Sequence, residues 1–65
     1  MKLMVNGEQI ESRAETVQAL LVELGIKPGA VAVEVNLKIV KRADHPVYPL
    51  AEGDTVEIVS FVGGG

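Results

Sequence analysis

The 65-residue sequence contains no cysteine. Disulfides and thiolate metal sites are therefore excluded, and nothing marks the chain for an oxidising compartment, so we expect a cytoplasmic protein. A chain of this length lies near the lower limit at which one hydrophobic core stabilises a fold. We expect a single domain with a small margin of stability.

Aromatic residues and positive charge are also scarce. Tyr48 and Phe61 are the two aromatic residues, too few for a platform that stacks bases. The net charge of −3 opposes binding to phosphate backbones, so we expect no nucleic acid partner. No apolar run approaches the ~20 residues that span a bilayer, and we expect neither a membrane anchor nor a signal peptide.

Candidate catalytic groups are few. His45 is the one histidine, and it has no cysteine or second histidine with which to share a metal. Six carboxylates fall on the polar faces of predicted elements, where solvation explains them: Glu8, Glu11, Glu15, Glu23, Glu34 and Glu57. An active-site pocket would use up most of so small a core. We expect no enzyme activity, no metal and no bound cofactor.

The first half of the chain predicts a hairpin and a helix. Leu3 and Val5 alternate with polar neighbours, and Asn6-Gly7 is a strong signal for a two-residue hairpin turn. From Thr16 the apolar period becomes helical, with Thr16 as the N-cap and Gly25 just beyond the end.

The second half predicts two strands, a loop and a last strand. Residues 31–35 alternate with a valine face, and a short strand at Ile39-Val40 follows. A two-residue turn at Asn36-Leu37 would require φ > 0 at Leu37, so we expect a different turn there. Residues 44–54 predict a loop, and the last strand begins at Thr55.

This order of elements predicts an α+β fold, in which one helix covers one face of a small mixed sheet. A ubiquitin-like β-grasp arrangement fits, with the last strand beside the first. We expect a β-grasp domain over residues 1–62 and a flexible glycine tail over residues 63–65. The predicted core is Leu3, Val5, Ile10, Val17, Leu20, Leu21, Leu24, Val33, Val35, Val56 and Ile58.

Gly63, Gly64 and Gly65 end the sequence. They can be a frayed tail or an expression scar, because glycines are common in linkers and termini. They also form a narrow segment without Cβ atoms that can thread a tunnel in another protein. Extended, three residues span at most ~11 Å, which would carry a terminal carboxylate well clear of the domain. With no cysteine in the chain, sulfur or acyl chemistry would have to use that carboxylate.

Several segments, in order along the chain, resemble the ThiS family, the sulfur carriers of thiamin biosynthesis. They are Val5-Asn6-Gly7-Glu8, Thr16-Val17, Ala19-Leu20-Leu21, Glu23-Leu24-Gly25, residues 31–36, residues 52–58 and Val62-Gly63-Gly64-Gly65. The sequence departs from the family at Leu37, where many relatives have glycine, and at Lys41, where many have proline. The departures affect a turn and not the tail.

The resemblance implies a carrier cycle. An adenylating enzyme of the ubiquitin-activating type would use ATP to activate the Gly65 carboxylate, with Gly63 and Gly64 threading its active site. A persulfide derived from a cysteine desulfurase would then convert the adenylate to a thiocarboxylate, and thiazole synthase would take the sulfur. The alternatives are the small subunit of molybdopterin synthase, a ubiquitin-like protein modifier and an interaction domain with an inert tail.

Docking to such partners needs a surface, and the end of the last strand offers one. Val59 and Phe61 alternate with Val56 and Ile58 and would be exposed if the latter pair meets the helix. Together with Val62 they form the candidate docking patch, although a second layer of core fits the pattern equally well.

Overall fold

The computed structural model describes residues 1–61. Its regular elements are β1 (Lys2–Val5), β2 (Glu8–Glu11), α1 (Val17–Glu23), β3 (Val31–Val35), β4 (Lys38–Val40) and β5 (Thr55–Ser60). Short 3₁₀ turns at Pro28–Ala30 and Arg42–Asp44 precede β3 and follow β4. No helix among these residues has the length and apolar character needed to cross a membrane. Val62 and the predicted boundary before the tail at 63–65 lie outside the described residues.

The five strands form one sheet in the order β2-β1-β5-β3-β4. β5 is central, parallel to β1 and antiparallel to β3, and the two hairpins supply the antiparallel outer pairs. One helix covers one face. The predicted α+β architecture, with a mixed sheet and the last strand beside the first, is confirmed.

The first hairpin turn forms at Asn6-Gly7, as predicted. Both residues have positive φ, 50° and 80°, which is the geometry of a type I′ turn. The turn pairs Val5 with Glu8 and fixes the register of β1 against β2. Asparagine and glycine adopt these angles at less cost than other residues, so local sequence accounts for this turn.

Both predicted helix ends are confirmed. The hydroxyl of Thr16 accepts a hydrogen bond from Ala19 N at 3.1 Å, which is the bond of an N-cap. At the other end Gly25 has φ 72°, and the amides of Gly25 and Ile26 donate to the carbonyls of Val22 and Leu21. These two hydrogen bonds form a Schellman motif, after which Ile26 packs against the core.

The segment after β4 completes the start of α1. Val17 N donates to the carbonyl of Tyr48 at 3.0 Å, and Gln18 N donates to the carbonyl of His45 at 2.9 Å. Leu50 N donates to Glu15 O at 2.9 Å and closes the same junction. Amides that lack partners inside the helix are thus satisfied by a loop about 30 positions further along the sequence.

The core follows the predicted pattern with two corrections. The prediction that Leu24 belongs to the core is wrong, because Leu24 is the C-cap residue and is 38% exposed. Ile26 packs against the core instead, after the chain turns at Gly25. Ile10 is half-buried on the edge strand β2 and packs against the core from its margin. The structure adds buried residues that the predicted core did not include: Ser12, Ala14, Val31, Val40, His45 and Leu50.

The second hairpin turn corrects another prediction. Asn36 and Leu37 have φ of 51° and 71°, so β3 and β4 are joined by the two-residue turn that we expected to be absent. Asn36 explains the outcome, because its backbone and side chain are both hydrogen-bonded to the start of β5. Leu37 is 88% exposed and adopts the left-handed conformation that this turn requires.

Replacing Leu37 with glycine should stabilise the domain. The left-handed conformation costs a residue with a Cβ about 1–2 kcal/mol, and part of the gain is lost to the greater freedom of glycine in the unfolded chain. We expect the free energy of unfolding of Leu37→Gly to rise by about 0.5–1 kcal/mol in urea titrations.

The matched control is Leu37→Ala, which removes the exposed side chain but keeps the Cβ. Its stability should lie within about 0.5 kcal/mol of wild type. Equal stability of the glycine and alanine variants would show that the turn is not strained at Leu37.

Candidate functional site

The first side of β5 is fixed by Asn6. The Asn6 side-chain oxygen accepts from Ile58 N at 2.7 Å, and its amide nitrogen donates to Ile58 O at 3.1 Å. Asn6 N also donates to Val56 O at 2.9 Å. Asn6 therefore satisfies both backbone groups of Ile58 beyond the point where the β1–β5 register pairs end, at Val5 and Val56.

The second side of β5 is fixed at its start by Asn36. Asn36 N donates to Thr55 O at 2.8 Å, and its side-chain oxygen accepts from Thr55 N at 3.0 Å. The side-chain nitrogen donates to an oxygen of Asp54 at 3.0 Å, and the other Asp54 oxygen accepts from Ala51 N at 2.8 Å. The place where β5 begins is thereby defined.

The last described residue extends the β5 pairing by one step. Ser60 lies opposite Val31, and Phe61 N donates to Ala30 O at 3.0 Å. The chain is thus held against the start of β3 up to Phe61, two positions before Gly63. Four of the predicted site residues, Val62, Gly63, Gly64 and Gly65, lie outside the described residues.

Val59 and Phe61 are 62% and 68% exposed, which confirms the alternation predicted for the last strand. Ala32 lies directly opposite Val59, and Ile39 on β4 is 75% exposed on the same face. We call Ala32, Ile39, Val59 and Phe61 the open sheet face. The sequence analysis missed Ala32 and Ile39. The alternation of Ile39 with Val40 was a signal for the second, but placing either beside Val59 requires the pairing of β3 with β5.

Two carboxylates interrupt this apolar surface. Glu34 and Glu57 are cross-strand partners on β3 and β5, and both are half-buried. Among residues 1–61 neither carboxylate has an ion pair or a hydrogen bond to a protein group. The sequence analysis assigned them to polar faces of regular elements, and the structure places both, partly exposed, on the sheet face opposite the helix.

A shallow groove of about 290 Å³ lies beside Phe61. Its lining includes Gly29, Lys41 and Arg42, so its rim is basic. Arg42 covers Gly29 so closely that a Cβ at position 29 would lie 2.8 Å from the Arg42 guanidinium. Lys41 and Arg42 therefore lie along the open sheet face, in a groove that also contacts Ile39 and Phe61.

His45 has a structural place in the fold. It is 2% exposed, and its Nε2 donates to Val40 O at 3.2 Å, while its Nδ1 has no partner among residues 1–61. Its carbonyl caps α1, as described above. Within the described part of the chain no group of three or more histidine, cysteine, aspartate or glutamate side chains could hold a metal ion.

Comparison with protein families matches residues 3–65 to the ThiS family. The match includes the terminal glycines. The residues that carry the resemblance noted from the sequence are thus part of a family pattern that extends over nearly the whole chain.

The chain is similar to curated proteins of two different lengths. A thiazole synthase of Paramagnetospirillum magneticum is 48% identical over 66 aligned positions, which include 100% of this chain but 20% of that protein. The chain thus spans a fifth of the length of this relative. The sulfur carrier protein ThiS of Thermus thermophilus is 34% identical over 61 positions, covering 94% of this chain and 95% of that protein.

A solved structure confirms the predicted β-grasp fold. The thiamine biosynthesis protein ThiS of Geobacter metallireducens superimposes with a TM-score of 0.84 at 35% sequence identity. The superposition covers 100% of both chains.

The stability of the domain should respond differently to a charge at the exposed and at the buried positions near the end of β5. Val59→Asp and Phe61→Asp each place a carboxylate in solvent. Their free energies of unfolding should therefore lie within about 1 kcal/mol of the wild-type value. Ile58→Asp, one residue away, buries an unpaired charge and should cost more than about 4 kcal/mol, enough to unfold so small a domain. Thermal unfolding followed by circular dichroism checks both. Loss of the fold in Val59→Asp would assign Val59 to the core.

Proposed function

Since the chain belongs to the ThiS family, we propose that it is a sulfur carrier of thiamin biosynthesis that acts as a substrate of other enzymes and not as an enzyme itself. The observation that carries this proposal is the family match over residues 3–65, which includes the glycine segment. The full-length similarity to the Thermus thermophilus sulfur carrier supports it.

The reactive group is the carboxylate of Gly65. A carboxylate is a poor electrophile, so a partner of the ubiquitin-activating type joins it to AMP from ATP and releases pyrophosphate. A persulfide supplied by a cysteine desulfurase attacks the acyl carbon and displaces AMP. A second thiol then attacks the sulfur–sulfur bond, which releases the thiocarboxylate and leaves a disulfide on the donor. The chain itself binds no cofactor, and ATP is used by the partner.

The residues of this chain present that carboxylate. Gly63 and Gly64 have no side chains that would obstruct a narrow active site. The glycine segment follows the central strand, whose register is held by Asn6 and Asn36. Val59, Phe61 and Val62 contact the partner beside the tail. We therefore expect Val59→Asp and Phe61→Asp to weaken complex formation while the fold is kept.

Thiazole synthase is the proposed acceptor of the sulfur. In the Paramagnetospirillum magneticum relative, a segment similar to this chain forms part of a thiazole synthase, which supports an association between the two. The absence of cysteine from the sequence is consistent with a cytoplasmic cycle in which the thiols belong to the partners.

Activation should depend on the carboxylate of a chain made to end at Gly65. With the adenylating enzyme of the same organism and ATP, this chain should stimulate pyrophosphate release, and the same chain with a C-terminal amide should not. Intact mass spectrometry with the persulfide donor present should show exchange of one oxygen for sulfur at Gly65.

Two outcomes contradict the proposal. Pyrophosphate release that persists with the amidated chain would place activation elsewhere. Isopeptide-linked conjugates in the native cell, without a sulfur-bearing form, would identify a protein modifier.

Deleting Gly65 should abolish activation, although the variant still ends in two glycines. Removal of one extended residue withdraws the carboxylate by about 3.3–3.6 Å. Reacting atoms must come within about 3–3.5 Å, so most of the positioning advantage is lost. Pyrophosphate release should fall close to background while circular dichroism is unchanged.

Gly64→Ala is the complementary variant, because it keeps the reach and adds a Cβ within the tunnel. It too should fold normally and fail to be activated. Full turnover by the Gly65 deletion would show that the enzyme does not depend on the reach of the tail.

A further inference from the structure

The last strand, β5, is supported unequally on its two sides. Toward β3 the pairing continues to the end of the strand, and Phe61 N extends it with a hydrogen bond of 3.0 Å. Toward β1 the register pairs end at Val56. Within residues 1–61, the hydrogen bonds that support β5 beyond Val56 on this side are the two that the Asn6 side chain makes with Ile58. Ile58 is therefore the last position at which the strand is held from both sides.

The side-chain amide of Asn6 takes the place of a strand residue. Its oxygen accepts from Ile58 N at 2.7 Å, and its nitrogen donates to Ile58 O at 3.1 Å. A residue of a neighbouring strand would offer the same two groups, one carbonyl and one N–H. The backbone of β1 cannot supply them, because the chain turns back at Gly7, where φ is 80°. The side chain thus extends the sheet by one position past the end of β1.

The hairpin turn itself does not require asparagine at position 6. A two-residue turn of this type accepts asparagine, aspartate or glycine as its first residue. An ionised aspartate could accept from Ile58 N but could not donate to Ile58 O, and glycine could do neither. Asparagine is the one residue of the three that makes both hydrogen bonds while it forms the turn.

We propose that Asn6 is a positioning residue for activation of the Gly65 carboxylate and that it acts through the backbone of Ile58. This rests on the proposed function, because the position of the carboxylate matters only if an enzyme activates it. Val59 and Phe61 follow Ile58 directly, so the two hydrogen bonds fix both the contact residues of β5 and the point from which the tail leaves. A displacement of about 1 Å between reacting groups can lower a rate by about 100-fold.

Two substitutions that suit the turn separate the hydrogen bonds from the hairpin. Asn6→Gly removes both bonds, and Asn6→Asp keeps the acceptor but loses the donor. Thr16→Ala is the control, because it also removes a side-chain hydrogen bond to the backbone, from Ala19 N, but at the start of α1 and outside the sheet. Chains ending at Gly65 should be compared at a temperature at which circular dichroism shows each of them to be folded.

Steady-state pyrophosphate release should be measured with the adenylating enzyme of the same organism. We expect kcat of Asn6→Gly to fall by about tenfold while KM stays within about threefold of wild type, since the contact side chains are unchanged. Asn6→Asp, which keeps one bond, should lose about threefold in kcat. Thr16→Ala should match wild type in kcat, because its lower stability does not affect the end of β5.

Amide hydrogen exchange followed by NMR gives a second measurement that needs no enzyme. In Asn6→Gly the Ile58 amide should exchange faster by about tenfold relative to that of Val33, a buried residue of β3. In Thr16→Ala the two amides should keep their wild-type ratio. A loss of global stability alone would accelerate both amides together.

The outcomes distinguish this proposal from the proposed function. If wild type is activated and Asn6→Gly has the same kcat, or if Thr16→Ala loses as much as Asn6→Gly, Asn6 has no positioning role and the sulfur carrier function stands. If Asn6→Gly does not fold, Asn6→Asp decides, and an unchanged kcat in that variant overturns the proposal. If wild type is not activated, both proposals fail.

Discussion

The pair of hydrogen bonds between the Asn6 side chain and the backbone of Ile58 controls the geometry on which the rest of the molecule depends. The β1–β5 register pairs cover two positions, and Asn6 takes over where they stop. A slip of β5 by one residue would exchange its two faces and move its end by about 3.3 Å. Asn6 opposes that slip from a position fixed by its own turn, so one residue links the hairpin to the strand that leads to the glycines.

Asn36 makes the same kind of side-chain hydrogen bond on the other side of β5. Each asparagine is the first residue of a two-residue turn, has positive φ, and uses its side-chain amide to bond a backbone group of β5. The repetition explains why the second turn tolerates Leu37. The left-handed conformation of Leu37 costs about 1–2 kcal/mol, and the hydrogen bonds of Asn36 to Thr55 and Asp54 hold the turn against that cost.

The sequence predicted those features whose cause is local. Asn6-Gly7, the Thr16 cap and the Gly25 termination depend on residues within a few positions of each other, and all three are confirmed. Apart from Leu24, which the local helix end displaces from the core, the errors arise where a distant segment decides. The turn at Leu37 depends on Thr55, and the burial of His45 depends on the helix start that its carbonyl caps. The same limit applied to the surface, because alternation exposed Val59 and Phe61 but register was needed to place Ala32 and Ile39 beside them.

A domain of this size has no room for an active-site pocket beside its core, so partner recognition falls to its surface. Its helix-covered face is occupied by the core, and the described residues contain no cluster of metal-binding side chains. The opposite face is available for contact, and there the sequence retains two facing carboxylates at a cost to the free fold. Burying the pair under a partner without a cation would cost more than leaving it in water.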